Sequence, residues 1–255
     1  MRLNVLKPRE ILPEVNMADA SIDSVPILMY HRIATDGPPG LKRWRVTPEL
    51  FAAHMNVLYR AGYRTITLAE WADALVQRRP VRGKRVLLTF DDGYSDFLSG
   101  AIPILHRHDF SATVFLVAEQ IGKTALWDAD FGDCASLLSW EEIKSLQEIG
   151  IEFGGHSCIH RKMTEMGSTE LAEDTRRTRV ILEEGLGVPV PTLAYPYGEQ
   201  NEFVRRVVGE VGTTAAVTCE PGISKLGDDL LRLPRIEIVD NCTADQLISL
   251  VEPTG

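Results

Sequence analysis

The chain has 255 residues, 44% hydrophobic and 25% charged, ordinary for a globular protein and enough apolar material for one sizeable core. Its net charge of −9 at pH 7 provides no basic face for phosphates, which argues against a nucleic-acid partner and gives no support for docking on an anionic membrane.

Residues 1–24 read as an N-terminal arm, and residues 25–255 as one domain. Pro8, Arg9 and Glu10 interrupt the place where a signal peptide carries its apolar run. No stretch is long and apolar enough to span a bilayer, so the expected location is cytoplasmic. Val25–His31 is an apolar run of strand length. Thr47 caps a helix that has Pro48 in its first turn, buries Leu50, Phe51, Met55, Leu58 and Tyr59, and stops at Gly62. Tyr63–Thr67 is a second strand, and Thr67 with Glu70 makes a capping box for the next helix. Arg85–Phe90 and Ala112–Val117 are buried strands. Ser139 with Glu142 opens another helix, which ends at Gly150. Ile151–Gly155 is the fifth strand, followed by a charged amphipathic helix over 168–184. Thr192–Tyr197 and Thr214–Cys219 are strands with a helix between them. Arg232–Val239 is a last strand-like run before a helix from Thr243.

Strands alternating with helices predict parallel βαβ units. Seven or eight of them in this length point to an α/β fold, a (β/α) barrel in a single domain, with an open doubly wound sheet as the rival. No GxGxxG follows the first strand, so a dinucleotide site is not supported. A barrel gathers its chemistry at the carboxyl ends of its strands, and the reactive residue types lie there. Thr89-Phe90-Asp91-Asp92-Gly93 places two carboxylates after a buried run, a costly arrangement unless something such as a metal ion compensates them. The plain alternative is a turn in which Asp accepts backbone bonds and Gly takes positive φ. His156 and His160, with three residues between them and following Gly154 and Gly155, converge on one metal if the turn between them is helical; the alternative is a pair of surface histidines. With one aspartate they make a three-ligand site with open positions, as in zinc hydrolases. Tyr195 and Tyr197 flank Pro196 at the sixth strand's end, where packing at the barrel mouth would equally account for them. Cys134, Cys158, Cys219 and Cys242 form no CxxC pair and read as reduced, buried small side chains.

TFDDG, HSxxH and YPYG, in this order and at these separations, resemble the polysaccharide deacetylase family (carbohydrate esterase family 4) over roughly residues 25 to 240. That resemblance implies a distorted (β/α) barrel of about seven parallel strands. It implies a metal-dependent hydrolase that removes N-acetyl or O-acetyl groups from a glycan, with Asp91 as general base and Asp92, His156 and His160 holding one divalent ion, Zn2+ being expected. The backbone N–H of Tyr195 is assigned to the oxyanion. Two departures stand out: no histidine follows His160, where many members carry a late general acid, and Ala194 occupies the place of the arginine that tunes the base. PILMYHRI resembles the branch acting on poly-N-acetylglucosamine exopolysaccharide, which nominates His31 as general acid or substrate contact. Arg235 is nominated to pair with Asp91 and, with Tyr197 and Trp140, to contact substrate. The expected partner is an acetylated sugar or oligosaccharide; for a cytoplasmic chain, a nucleotide-linked, lipid-linked or short precursor is easiest to reach. Hydrolysis of a non-sugar amide or cyclic imide, or a silent glycan-binding domain, are the other readings.

Overall fold

The computed structural model describes residues 20–132 and 134–252. Its main sheet has eight parallel strands: β1 (Ile27–Tyr30), β2 (Arg64–Thr65), β3 (Arg85–Phe90), β4 (Thr113–Leu116), β5 (Glu152–Gly155), β6 (Thr192–Ala194), β7 (Ala215–Pro221) and β8 (Leu233–Glu237). Seven of them close a barrel in the order β1–β3–β4–β5–β6–β7–β8, with β8 pairing back to β1. β2 pairs only with the start of β3, Arg64 opposite Arg85 and Thr65 opposite Val86. The expected closed barrel is therefore present, and the open sheet is excluded. The ring is distorted where the β7–β8 register shifts between Val217 and Pro221.

Helices α1 (Pro48–Arg60), α2 (Leu68–Val76), α3 (Ile102–Arg107), α4 (Trp140–Glu148), α5 (Ser168–Leu186), α6 (Glu202–Glu210) and α7 (Ala244–Val251) follow the strands. The side chain of Thr47 accepts from the Leu50 N–H at the start of α1, and full capping boxes open α2, α4 and α7. Each such cap contributes about 1 kcal/mol. α3, entered through a π-helical turn at Phe97–Ala101, has no counterpart among the predicted elements.

Side chains alternate across each strand. Leu28, Tyr30, Val86, Leu88, Phe90, Val114 and Phe153 face outward into the helical layer. Ile27, Leu87, Phe115, Ala194, Val217 and Leu233 face inward and are covered from below by α2. α2 lies at the amino ends of the strands: the Leu68 N–H donates to Thr113 Oγ1 (3.3 Å) and the Ala69 N–H to the Glu152 carboxylate (3.1 Å). Its Trp71 is fully buried, with Nε1 donating to Ser224 Oγ at 2.9 Å. Apolar packing against α2 thus closes the lower end of the barrel interior, and the cleft described below opens at the carboxyl end.

Residues 1–19 of the predicted arm lie outside the described residues. Its last residues do pair: Ser21–Ile22 with Val81–Arg82, and Ser24–Val25 with Ser224–Lys225. Among the described residues, no helix is long and apolar enough to cross a membrane.

His54, on α1, is fully buried. Its Nε2 donates to the Cys242 carbonyl (2.6 Å), which leaves Nδ1 to accept from the Tyr30 hydroxyl (3.1 Å). Burial pushes the His54 pKa down. A group depressed in the folded state loses stability as pH falls, because the unfolded chain takes up a proton near pH 6.5 that the folded chain refuses. Melting temperature is therefore expected to drop between pH 7.5 and 5.5. His54→Gln, which does not titrate, should flatten that drop; an equal slope in the variant would exclude His54 as its source.

Candidate metal centre and catalytic cleft

Continuing the inward alternation to the strand ends brings a set of polar residues to the mouth. β1 leads to Met29 and His31, β3 to Thr89 and Asp91, β5 to His156, β7 to Cys219, and β8 to Arg235 and Glu237. Met29, His31, Asp91, His156, Cys219 and Glu237 line one cleft of about 330 Å³, joined by Asp92, His160, Tyr197 and the aromatic rings of Trp44, Tyr94, Trp127 and Phe131. Gly154 leaves no inward side chain on β5, where a Cβ would come within 2.6 Å of the Phe115 ring.

Asp92, His156 and His160 are buried together, with one ligand atom of each within 4.8 Å of the others. Asp92 Oδ1 lies 3.3 Å from His156 Nε2 and 3.0 Å from His160 Nε2. The His156 Nδ1 is 2.8 Å from the Ala194 carbonyl, which can only accept, so Nδ1 carries the proton and Nε2 presents a lone pair. Asp92 Oδ1 is buried and has no hydrogen-bond partner. The His156 lone pair and the unpartnered Asp92 oxygen, with His160 Nε2 beside them, fit a cation, and an Asp-His-His set suits a first-row divalent ion. Burial pushes the Asp92 carboxyl up, but the His160 and His156 rings set against it more than reverse this and hold it well below the usual carboxylate range, so it remains an anionic ligand. These three residues form a metal-binding site.

The turn that brings the histidines together is not the helical one expected. Ser157 (φ 60°) and His160 (φ 61°) adopt left-handed backbone, as does Asp92 (φ 74°). The His160 ring is held between Trp127, stacked at 4.6 Å, and Tyr197, edge-on at 4.6 Å. Trp127 and Asp128 come from a 3-10 turn at Leu126–Phe131, and Asp128 Oδ2 accepts from the Tyr94 hydroxyl at 2.6 Å. Neither residue was singled out in the sequence, since an irregular loop carries no periodic signal; Tyr94, next to TFDDG, was the available clue.

Asp91 points down into the barrel and meets Arg235. Nη1 donates to Oδ1 and Nη2 to Oδ2, both at 2.7 Å. Arg235 is 1% exposed and also donates to the Thr218 carbonyl (2.8 Å) and Thr89 Oγ1 (3.1 Å). The predicted pair with Asp91 is therefore present, but Arg235 sits beneath the cleft, not on its wall, so its nomination as a substrate contact is corrected. Burial pushes the Asp91 carboxyl up, and Arg235 outweighs this and holds it below its ordinary value.

Four more nominated residues have the following places. Trp140 is away from the cleft: it packs against the core, its ring over Gly185 of α5. Tyr195 is 0% exposed, because it follows the inward Ala194 and so faces out; its hydroxyl donates to the Leu231 carbonyl and its N–H to the Val217 carbonyl (3.3 Å), so it cannot serve an oxyanion without breaking the β6–β7 ladder. Tyr197, 51% exposed and with φ 60°, is the third-motif tyrosine on the cleft, and its N–H has no acceptor among the described residues. His31 lines the cleft with its Nδ1 buried and without a partner. Beside it, Trp44 donates to Glu237 Oε1 (3.0 Å), and Arg43 holds the other oxygen of Glu237 (2.6 Å). Cys219, read as a buried residue, is exposed at the cleft.

Comparison with known proteins agrees with this geometry. The profile of the polysaccharide deacetylase family matches residues 78–216. YxkH of Bacillus subtilis is 28% identical over 214 residues, 84% of this chain and 71% of that one. The poly-beta-1,6-N-acetyl-D-glucosamine N-deacetylase of Staphylococcus epidermidis is 23% identical over 241 residues, 87% of this chain and 81% of that one. Among solved structures, the Streptococcus pyogenes deacetylase PplD in complex with acetate superposes with a TM-score of 0.80 at 26% identity, covering 92% of this chain and 100% of the other.

Proposed function

The chain belongs to the polysaccharide deacetylase family and is a metal-dependent deacetylase, and we propose that it removes the N-acetyl group from an N-acetylglucosamine-containing glycan. The observation that carries this reading is the Asp91–Arg235 pair set directly against the metal ligand Asp92. A glycan-binding domain has no use for an ionised carboxylate pinned in that place.

Asp92, His156 and His160 would hold the ion, which we take to be Zn2+. A divalent ion bound there supplies Lewis acidity toward the acyl carbonyl and toward the attacking water. Asp91, kept ionised by Arg235, accepts the proton of that water as its oxygen attacks the carbonyl carbon. The Tyr197 N–H takes the part first assigned to Tyr195, donating to the carbonyl oxygen as its charge grows; one such donor contributes roughly 3–4 kcal/mol. His31 gives a proton to the sugar nitrogen as the C–N bond breaks, replacing the absent late histidine. Acetate and the free amine result.

The cleft also favours an uncharged glycan over a nucleotide-linked precursor. Arg32, Arg43 and Arg235 are each engaged by a carboxylate of this chain, at 2.7, 2.6 and 2.7 Å, which leaves none of the three free for a phosphate. The aromatic rings of Trp44, Phe131, Trp127 and Tyr197 offer faces on which sugar rings pack. The Staphylococcus relative supports a β-1,6-linked polymer as the first substrate to try.

The test is acetate release from N-acetylglucosamine oligomers by metal-free protein, before and after Zn2+ is restored. Release should appear only with metal and be lost in His156→Ala. His31→Gln should slow amide hydrolysis roughly 100-fold, yet leave 4-nitrophenyl acetate, whose leaving group needs no proton, nearly unchanged. No acetate from metal-loaded protein would set the glycan reading aside in favour of a cyclic imide substrate or a silent binder.

A further inference from the structure

Two of the three metal ligands hang on one short turn after β5, and that turn is irregular, with Ser157 and His160 both in left-handed backbone. A turn of this kind has no repeating internal bonds, so its geometry is set by whatever grips it from outside. On its carbonyl side the grip is backbone: the Ala118 N–H donates to the Ser157 carbonyl (3.1 Å) and the Glu119 N–H to the Cys158 carbonyl (3.0 Å). On its N–H side the grip is a side chain. The Cys158 N–H, midway between the two histidines, donates to Asp174 Oδ1 at 3.1 Å. Asp174 stands on α5, sixteen residues along the chain. The Cys158 side chain packs at the same point, its Sγ 3.3 Å from Thr178 Oγ1 and 3.5 Å from the Asp174 carbonyl. The second carboxylate oxygen, Asp174 Oδ2, is buried without a partner. A carboxylate kept partly buried for the sake of a single bond is costly, which points to the importance of that bond.

We propose that Asp174 is a positioning residue for the metal centre: its carboxylate fixes the Cys158 amide, and through it the separation of the His156 and His160 rings. The proposal rests on Asp92, His156 and His160 being the metal ligands. It makes an asymmetric prediction about two substitutions. Asp174→Ala removes the acceptor and frees the turn. Asp174→Asn keeps an oxygen to accept from the Cys158 N–H and places its NH2 group where Oδ2 has no bond to lose.

The experiment is a zinc titration of the metal-free, full-length protein against a chelating dye. Asp174→Ala should bind zinc roughly 10–100-fold more weakly than the wild type, the range for losing an outer support of a metal ligand. Asp174→Asn should stay within about threefold of the wild type, and Glu173→Ala, an exposed neighbour on the same helix, should not change. Wild-type affinity in Asp174→Ala overturns the proposal. So does Asp174→Asn binding as weakly as Asp174→Ala, which would assign the effect to charge and not to the hydrogen bond. If His156→Ala binds zinc as well as the wild type, the metal-ligand reading falls and takes this proposal with it, a pattern distinct from the other two. Should Asp174→Ala fail to fold, Asp174→Ser, whose hydroxyl falls short of the Cys158 amide, supplies a second reading by hydrogen exchange. Exchange at Cys158 should speed up while the amides of α5 keep their protection, and unchanged exchange at Cys158 overturns the proposal.

Discussion

Asp91→Asn should cut kcat for deacetylation by roughly 10²–10⁴, the usual contribution of a positioned general base, while zinc affinity stays near that of the wild type. The reasoning is geometric. Asp91 and Asp92 are adjacent but point different ways: Asp91 continues the inward alternation of β3 and meets Arg235, whereas Asp92, in left-handed backbone, turns to the histidines. Removing the base therefore leaves the ligand set whole. Stopped-assay acetate release gives the rate and a dye competition gives the affinity. A parallel loss of both would mean that Asp91 belongs to the ligand set, and a rate within threefold of the wild type would remove it from the mechanism.

Arg235→Met should be the most destabilising of the site substitutions, at about 3–5 kcal/mol, because it leaves a buried carboxylate without its counter-charge. The pH signature has a definite sign. With Arg235 present, the Asp91 pKa lies below its unfolded value of about 3.9, so the pair stabilises the protein above that pH and the contribution fades as pH falls. With Arg235 gone, burial dominates and the carboxyl rises above its unfolded value. The variant should then be least destabilised in acid and lose ground as pH rises through the raised pKa. Activity needs the ionised form, so the acid limb of kcat/KM should move to higher pH. Urea unfolding across pH 4–8 reads the first effect and a pH–rate profile the second. The double variant Asp91→Asn with Arg235→Met separates them: it should regain much of the lost stability, because no unpaired charge remains, and regain no activity. An acid limb that stays in place would show that Arg235 does not tune Asp91.

What could be read in advance divides along physical lines. The barrel was legible because its strands are short apolar runs and its helices announce themselves through caps: Thr47, Thr67 and Ser139 each accept the predicted N–H. The metal ligands were legible because two aspartates after a buried strand and two histidines after a pair of glycines make little sense without a cation. The direction in which a group points was the weak point. The Tyr195 N–H was assigned to the oxyanion, but it still belongs to the β6–β7 ladder and donates to the Val217 carbonyl, whereas the Tyr197 N–H, past the end of the strand, has no acceptor among the described residues. Alternation on β8 carries Arg235 inward and then Glu237 to the cleft wall, where Glu237 went unnoticed. Trp140, nominated as a substrate contact with a packing anchor as the alternative, is the anchor: at the first position of α4 it packs on its neighbour helix. Trp127 and Asp128 lie on a loop whose path depends on tertiary contacts, which local sequence does not encode.

The left-handed residues of the site carry a burden for the protein as a whole. Asp92, Ser157, His160 and Tyr197 are four of the six non-glycine residues with positive φ among those described. Each is held there at a cost of roughly 1–2 kcal/mol, against a net stability of only about 5–15 kcal/mol for a typical domain. Glycine would relieve that cost, but at Asp92 and His160 it would erase a ligand. Selection for heat resistance alone would therefore drift toward sturdier, inert descendants, so an engineer seeking a hardier catalyst should leave these positions alone and look for stability on the far side of the barrel, around α2.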